Sequence, residues 1–89
     1  MNTTPKGFRE TMFSNPYPVT LWPDTNESFA PTPGTAIGIE ENLEYGGLRL
    51  IVRPDAPVIR KSNGETATWP GNIVYVWARQ VSGWREGAQ

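Results

Sequence analysis

The clearest alternation of apolar and polar positions is Leu48-Arg49-Leu50-Ile51-Val52-Arg53. A period of two sends Leu48, Leu50 and Val52 to one face of a strand and both arginines to the other. Thr35-Ala36-Ile37-Gly38-Ile39 alternates in the same way, with Ile37 and Ile39 together, and Glu40 to Gly47 reads as a loop closed by Gly46-Gly47. From Asn72 to Val81 the pattern predicts the longest strand, with Ile73, Tyr75, Trp77, Arg79 and Val81 on one face and Val74, Val76 and Ala78 on the other. Apolar residues on both faces mark a central strand, or one covered by an N-terminal arm.

Between these strands, Val58 to Trp69 reads as a hairpin. Asn63-Gly64 is the preferred central pair of a type I′ turn, because both positions need a positive φ. Pairing outward from a two-residue turn sets Arg60 opposite Ala67, Ile59 opposite Thr68 and Val58 opposite Trp69, with Pro57 and Pro70 closing the ends. About five strands and no long helix predict an all-β fold, a small barrel or sandwich.

The prolines divide the chain. Pro5, Pro16, Pro18, Pro23, Pro31 and Pro33, six of the nine, fall in the first 34 residues. Each fixes its own φ, lacks an N–H and pushes its predecessor towards extended backbone, which rules out a central strand or a long helix there. That leaves at most a turn or two of helix over Gly7–Ser14, with Phe8 and Met12 on one side, and a short edge strand over Tyr17–Trp22. The prediction is an extended N-terminal arm over 1–34 and a compact β domain over 35–89. Disordered linkers are poor in aromatics, whereas this segment carries Phe8, Phe13, Tyr17, Trp22 and Phe29. It is therefore expected to dock, either on its own core or on another subunit.

Size and composition narrow the chemistry. A chain of 89 residues buries roughly 64% of its unfolded surface, a thin core usually reinforced by disulfides, metals or oligomerisation. With no cysteine and no histidine, disulfides, thiolate or imidazole metal sites and histidine-based triads are excluded. Association with copies or with a larger partner is the reinforcement left. Eight basic against nine acidic residues argue against a strong non-specific nucleic-acid binder. No apolar run reaches the ~18 residues of a membrane span, and the first residues lack the basic-then-apolar order of a signal peptide, so a cytoplasmic protein is expected.

Four features carry candidate chemistry. Glu40, Glu41 and Glu44 form the densest acidic group, a possible start for acid–base chemistry or a hard cation, and more commonly a solvated loop. Asp24-Thr25-Asn26-Glu27-Ser28 opens like a calcium loop, but Phe29 stands where glycine is needed and Thr35 where a bidentate glutamate is needed. Asn2 and Asn26 match the glycosylation pattern. Finally Trp22, Trp69, Trp77, Trp84 and Tyr75, with Arg49, Arg53, Arg60, Lys61 and Arg79, contain the ingredients of a stacking platform for single-stranded nucleic acid. The competing reading places the tryptophans in a small core.

No catalytic residue, metal or cofactor is expected. The reading favoured is a non-enzymatic structural or assembly protein and homo-oligomer, with Phe8, Phe13, Tyr17 and Trp22 as arm anchors on a protein partner and the rigid hairpin tip Asn63-Gly64 as a second contact. In plan this is similar to small accessory proteins of phage heads and tails, such as capsid cement proteins. That likeness rests on no shared motif and implies a virion location. The alternatives are a small β-barrel module for single-stranded nucleic acid, of SH3-like or OB-like type, and a phage-type inhibitor of a host protein.

Overall fold

The computed structural model describes residues 7–23 and 28–85. The glycosylation-type asparagines and most of the calcium-like loop (24–27) lie outside the described residues. The strands are β1 (Phe8–Leu21), β2 (Thr32–Asn42), β3 (Leu48–Pro54), β4 (Val58–Ile59), β5 (Thr66–Ala67), β6 (Val74–Trp77) and β7 (Val81–Ser82). Five of them form one antiparallel sheet in the order β6-β3-β2-β1-β7, while β4 and β5 pair separately. The all-β fold of about five strands is thus found, with the sheet curled nearly into a barrel.

The longest strand is β1, which lies within the segment expected to be an arm. It pairs with β2 from Phe8↔Asn42 to Leu21↔Thr32, so sheet hydrogen bonding runs straight across the expected division at residue 34. Two devices let prolines into an internal strand. Between Met12↔Gly38 and Tyr17↔Ala36, residues 13–16 oppose Ile37 alone, and Pro16 sits in that bulge, where the ladder is already interrupted. Pro18 follows a parity argument. The Trp22 N–H donates to Gln80 O at 2.8 Å, so even-numbered amides in this stretch face β7. Pairing with β7 covers only Thr20 and Leu21, so the nitrogen of Pro18 points past the end of β7 and forfeits no ladder bond. Pro33 is similar: its carbonyl accepts from Asp55 N just beyond the β2–β3 ladder.

The expected long strand 72–81 is broken. β6 pairs with β3, β7 pairs with β1, and the 3-10 turn Ala78–Gln80 joins them. One segment therefore supplies both edges of the sheet, and a straight strand could not reach both neighbours. The Gln80 side chain holds the turn by accepting from Trp77 N at 3.2 Å. Inside the curl, Leu21, Leu50 and Val52 are fully buried, with Val19, Ala36, Val74, Val76 and Val81 around them. Each large side chain there contributes roughly 1.5–3 kcal/mol by leaving water.

The hairpin exists, but not in the expected register. Ile59 pairs with Thr66 and Val58 with Ala67, a shift of two residues that keeps every side chain on its face. Arg60 N donates to Glu65 O and Gly64 N to Arg60 O, so the loop spans four residues. Only Gly64 has a positive φ (+72°); Asn63 does not, and the type I′ turn is absent. Asn63 instead accepts from Glu65 N through its side-chain oxygen at 3.0 Å, an Asx turn that replaces the shorter loop. The shift also frees Trp69 from Val58. Its ring lies 5.7 Å from Trp22 and 5.5 Å from Phe29, and these three rings close one end of the core. Trp22 adopts a positive φ of 49° there, a strain of order 1–3 kcal/mol offset by burial to 3% exposure.

Candidate functional site

The strand carrying Tyr75 and Trp77 was expected to be central or covered by the arm, yet β6 is an edge strand and the two side chains remain 38% and 41% exposed. Alternation on β6 buries Val74 and Val76 in the core and turns Tyr75 and Trp77 away from it. Strand register aligns two rows across this second face. One runs Glu10, Glu40, Arg49, Trp77; the other runs Met12, Gly38, Ile51, Tyr75. Phe8, 49% exposed, stands one pleat beyond Glu10, and Met12 is 57% exposed. Four of the large exposed apolar side chains thus share one sheet face, and two more, Leu43 and Tyr45, sit on the adjoining β2–β3 loop. That loop is fixed by Asn42, whose side-chain oxygen accepts from the amides of Glu44 and Tyr45 at 3.0 Å each.

The floor of the face is tightly built. A Cβ on Gly38 would lie 2.8 Å from Thr11 O, 2.9 Å from Met12 Sδ and 3.2 Å from Ile51 Cδ1, so the absent side chain is what lets Met12 and Ile51 converge. Trp77 closes over Gly47 in the same way, with ring carbons 3.0 and 3.3 Å from the Cβ that glycine lacks. Between Phe8 and Trp77 lies a cleft of 230 Å³ floored by Glu40, Asn42, Gly47 and Arg49. On the other side of Arg49, Trp69, Pro70, Ile73 and Tyr75 border a second, of 550 Å³.

Charge on the face is largely settled internally. Glu10 and Glu40 are direct cross-strand neighbours, a repulsive pairing unless each finds a partner. Glu40 accepts from Arg49 Nε at 2.7 Å, and Glu10 accepts from the Tyr75 hydroxyl at 2.9 Å. The Arg49 guanidinium also lies 5.1 Å from the Tyr75 ring and 6.0 Å from that of Trp77, within cation–π range. The hydrogen bond to Glu10 raises the Tyr75 phenol above its ordinary value, because ionisation would set a second anion against the carboxylate; desolvation adds to the shift. Arg79 lies 5.9 Å from the Trp77 ring, and the ion pairs among the described residues are Arg9–Glu41 and Arg49–Glu40, so Arg79 has no carboxylate partner among the described residues.

The sequence-derived candidates separate into three places. Phe13, Tyr17 and Trp22 are buried in the chain's own core at 8%, 3% and 3% exposure, and Phe8 alone of the arm anchors is on the exposed face. Tyr17 is held from behind, its hydroxyl accepting from Arg85 N at 3.1 Å. Asn63 and Gly64 form the exposed tip of the β4–β5 hairpin, with open space around Gly64. The supposed stacking platform is divided as well: Trp22 belongs to the core, Trp69 packs against it, and Tyr75, Trp77, Arg49 and Arg79 share the face. Glu40 and Glu41 point to opposite faces, each to its own arginine, and no group of three or more potential ligands for a metal occurs among the described residues. Sequence reasoning missed Glu10 as a member of the face. It grouped Met12 with Phe8 only through the i,i+4 spacing of a helical turn over Gly7–Ser14, where the chain is the strand β1 and a period of two places Phe8, Glu10 and Met12 together. No known family matches this chain, and comparisons with curated proteins and with solved structures find no match.

Proposed function

We propose that this protein is a non-enzymatic assembly protein that binds a protein partner through the face carrying Phe8, Met12, Tyr75 and Trp77. The observation that carries the reading is the concentration of exposed aromatic and thioether side chains on one sheet face whose central charges, Glu40 and Arg49, are already paired. Tyr, Trp, Phe, Met and Arg are the residues enriched at protein interfaces, and a contiguous apolar patch marks an interaction surface rather than ordinary exterior. A nucleic-acid platform is less well supported: Glu10 and Glu40 line the same rows as the aromatics and repel a phosphate backbone, and the central cation, Arg49, is already paired. Placement in a larger shell such as a virion rests on likeness of plan alone.

A photo-crosslinking residue at position 77, compared with one at the exposed Thr66 on β5 in the separate two-stranded sheet, tests the reading in extracts of the cells that make the protein. Discrete adducts from position 77, lost on substitution of Met12 and Tyr75 and not given by position 66, are expected. The absence of any adduct from position 77 overturns the proposal.

A further inference from the structure

We infer that the partner of this face is the same face of a second copy, joined about a two-fold axis so that Glu10 of each chain meets Arg79 of the other. The inference rests on the docking reading above and specifies its partner. Two unmatched charges carry it. Glu10 is exposed and engaged only by the neutral Tyr75 hydroxyl, and Arg79 is exposed and lies over Trp77 with no carboxylate among the described residues. Tyr75 and Trp77 are two residues apart on β6, so one free charge of each sign borders the same aromatic ridge. An isologous interface pairs residue i with j and j with i. A face that carries both Glu10 and Arg79 is therefore complementary to its own copy, with Arg53, another exposed cation of this face, one pleat beyond Ile51 at the rim. The charges nearest the middle, Glu40 and Arg49, are already paired within the chain, so two copies can meet without burying an uncompensated charge there.

Area supports the same occupant. At 49%, 57%, 38% and 41% exposure, Phe8, Met12, Tyr75 and Trp77 present about 280–460 Å² of surface, given roughly 150–250 Å² for side chains of this size. A patch of that extent matches the largest found on an ordinary monomer, which is often a functional surface. With Glu10, Arg79 and the Leu43–Tyr45 loop as its rim, it approaches the ~800 Å² per partner of a standard interface.

Sedimentation velocity on the full chain, from low to high micromolar concentration, tests the inference. The wild type is expected to shift from monomer to dimer, with a weaker dimer at high salt. Glu10→Arg and Arg79→Glu each set like charges together twice per dimer and should raise Kd at least tenfold. An equimolar mixture of the two variants should recover dimers, since Arg at position 10 then meets Glu at position 79 and the native pair remains at the other end. The double variant Glu10→Arg/Arg79→Glu should recover them as a single species. Arg79 is exposed in a 3-10 turn and bears on no core contact, so its substitution reads association rather than folding; Glu10→Gln, which keeps an acceptor for Tyr75, gives a milder loss. A wild type that stays monomeric overturns the inference, as does a dimer indifferent to both charge changes or a mixture that fails to recover. The docking reading fails separately: a monomeric wild type with adducts of another mass from position 77 sinks only the self-pairing, whereas no adduct of any mass sinks both.

Discussion

Replacing Arg49 by methionine removes the cation from a pair whose two members are unequally buried. The Glu40 side chain is 11% exposed and that of Arg49 is 34% exposed. A fully buried pair costs ~3–5 kcal/mol when one partner is deleted, because the other charge is stranded, whereas an exposed pair is worth ~0.2–1 kcal/mol. This pair lies between those limits, and loss of the guanidinium contact to the Tyr75 and Trp77 rings adds up to ~1 kcal/mol. Arg49→Met should therefore cost about 2 kcal/mol, a fall in Tm of about 8–16 °C for a domain of this size. The companion Glu40→Gln strands a cation that already reaches solvent and should cost about 1 kcal/mol. The double variant Glu40→Gln/Arg49→Met leaves no unpaired charge, and should be more stable than Arg49→Met alone. Urea unfolding followed by tryptophan fluorescence, with thermal unfolding by circular dichroism, measures all four proteins. If Arg49→Met is as stable as the double variant or more so, the argument from a stranded carboxylate is wrong.

Gly38→Val should lose about 1–3 kcal/mol, because its branched side chain must displace Thr11 O, Met12 Sδ or Ile51 Cδ1; denaturant unfolding reads the loss. Gly64→Ala meets no neighbour, so its cost is purely that of a positive φ, about 1–2 kcal/mol, and thermal unfolding without any change in spectrum is expected. Near-ultraviolet titration should show Tyr75 ionising above the ordinary tyrosine value of ~10, with Glu10→Gln moving it back towards that value. Since folding raises this pKa, the Tyr75–Glu10 bond contributes stability below the unfolded tyrosine value and loses it as pH rises through the folded one. A titration unmoved by Glu10→Gln would contradict the hydrogen-bonded geometry.

Strand positions were legible in the alternation, the buried faces less so. Leu50 and Val52 reach the core as the alternation of β3 predicts, but Ile51 on the opposite face is buried as well. β2 grows outward from the predicted Thr35–Ile39, with a bulge at Ile37 that sets Ala36 beside Ile39 at the core and parts Ile37 from it. Proline misled the reading of β1, because whether a missing N–H matters depends on which neighbour it faces. That is set by β7, some sixty residues later in the chain. In the hairpin, Asn63-Gly64 marked the turn correctly, but its length was decided by the ring packing of Trp69 with Trp22 and Phe29, a tertiary demand that overrode the local preference. The candidate face was half visible. Tyr75, Trp77 and Arg49 were noted as a group, and Phe8 as an anchor, but only sheet order reveals that β1 and β6 bring them to one surface.

The joining of both sheet edges by one short segment bears on how the molecule comes into being. β1 and β2 can pair as soon as both have left the ribosome, yet the other edge of β1 waits for Val81 and Ser82, and Tyr17 waits for Arg85. Closure of so long a loop is slow compared with hairpin formation. A nascent chain must therefore pass through an interval in which a fourteen-residue strand is half-paired and Leu21 lacks its cover. In that interval an open strand edge is a template for pairing with another chain, and the speed of the Ala78–Gln80 turn sets how long the exposure lasts. The yield of folded protein should thus depend on this turn more steeply than the stability of the finished molecule does.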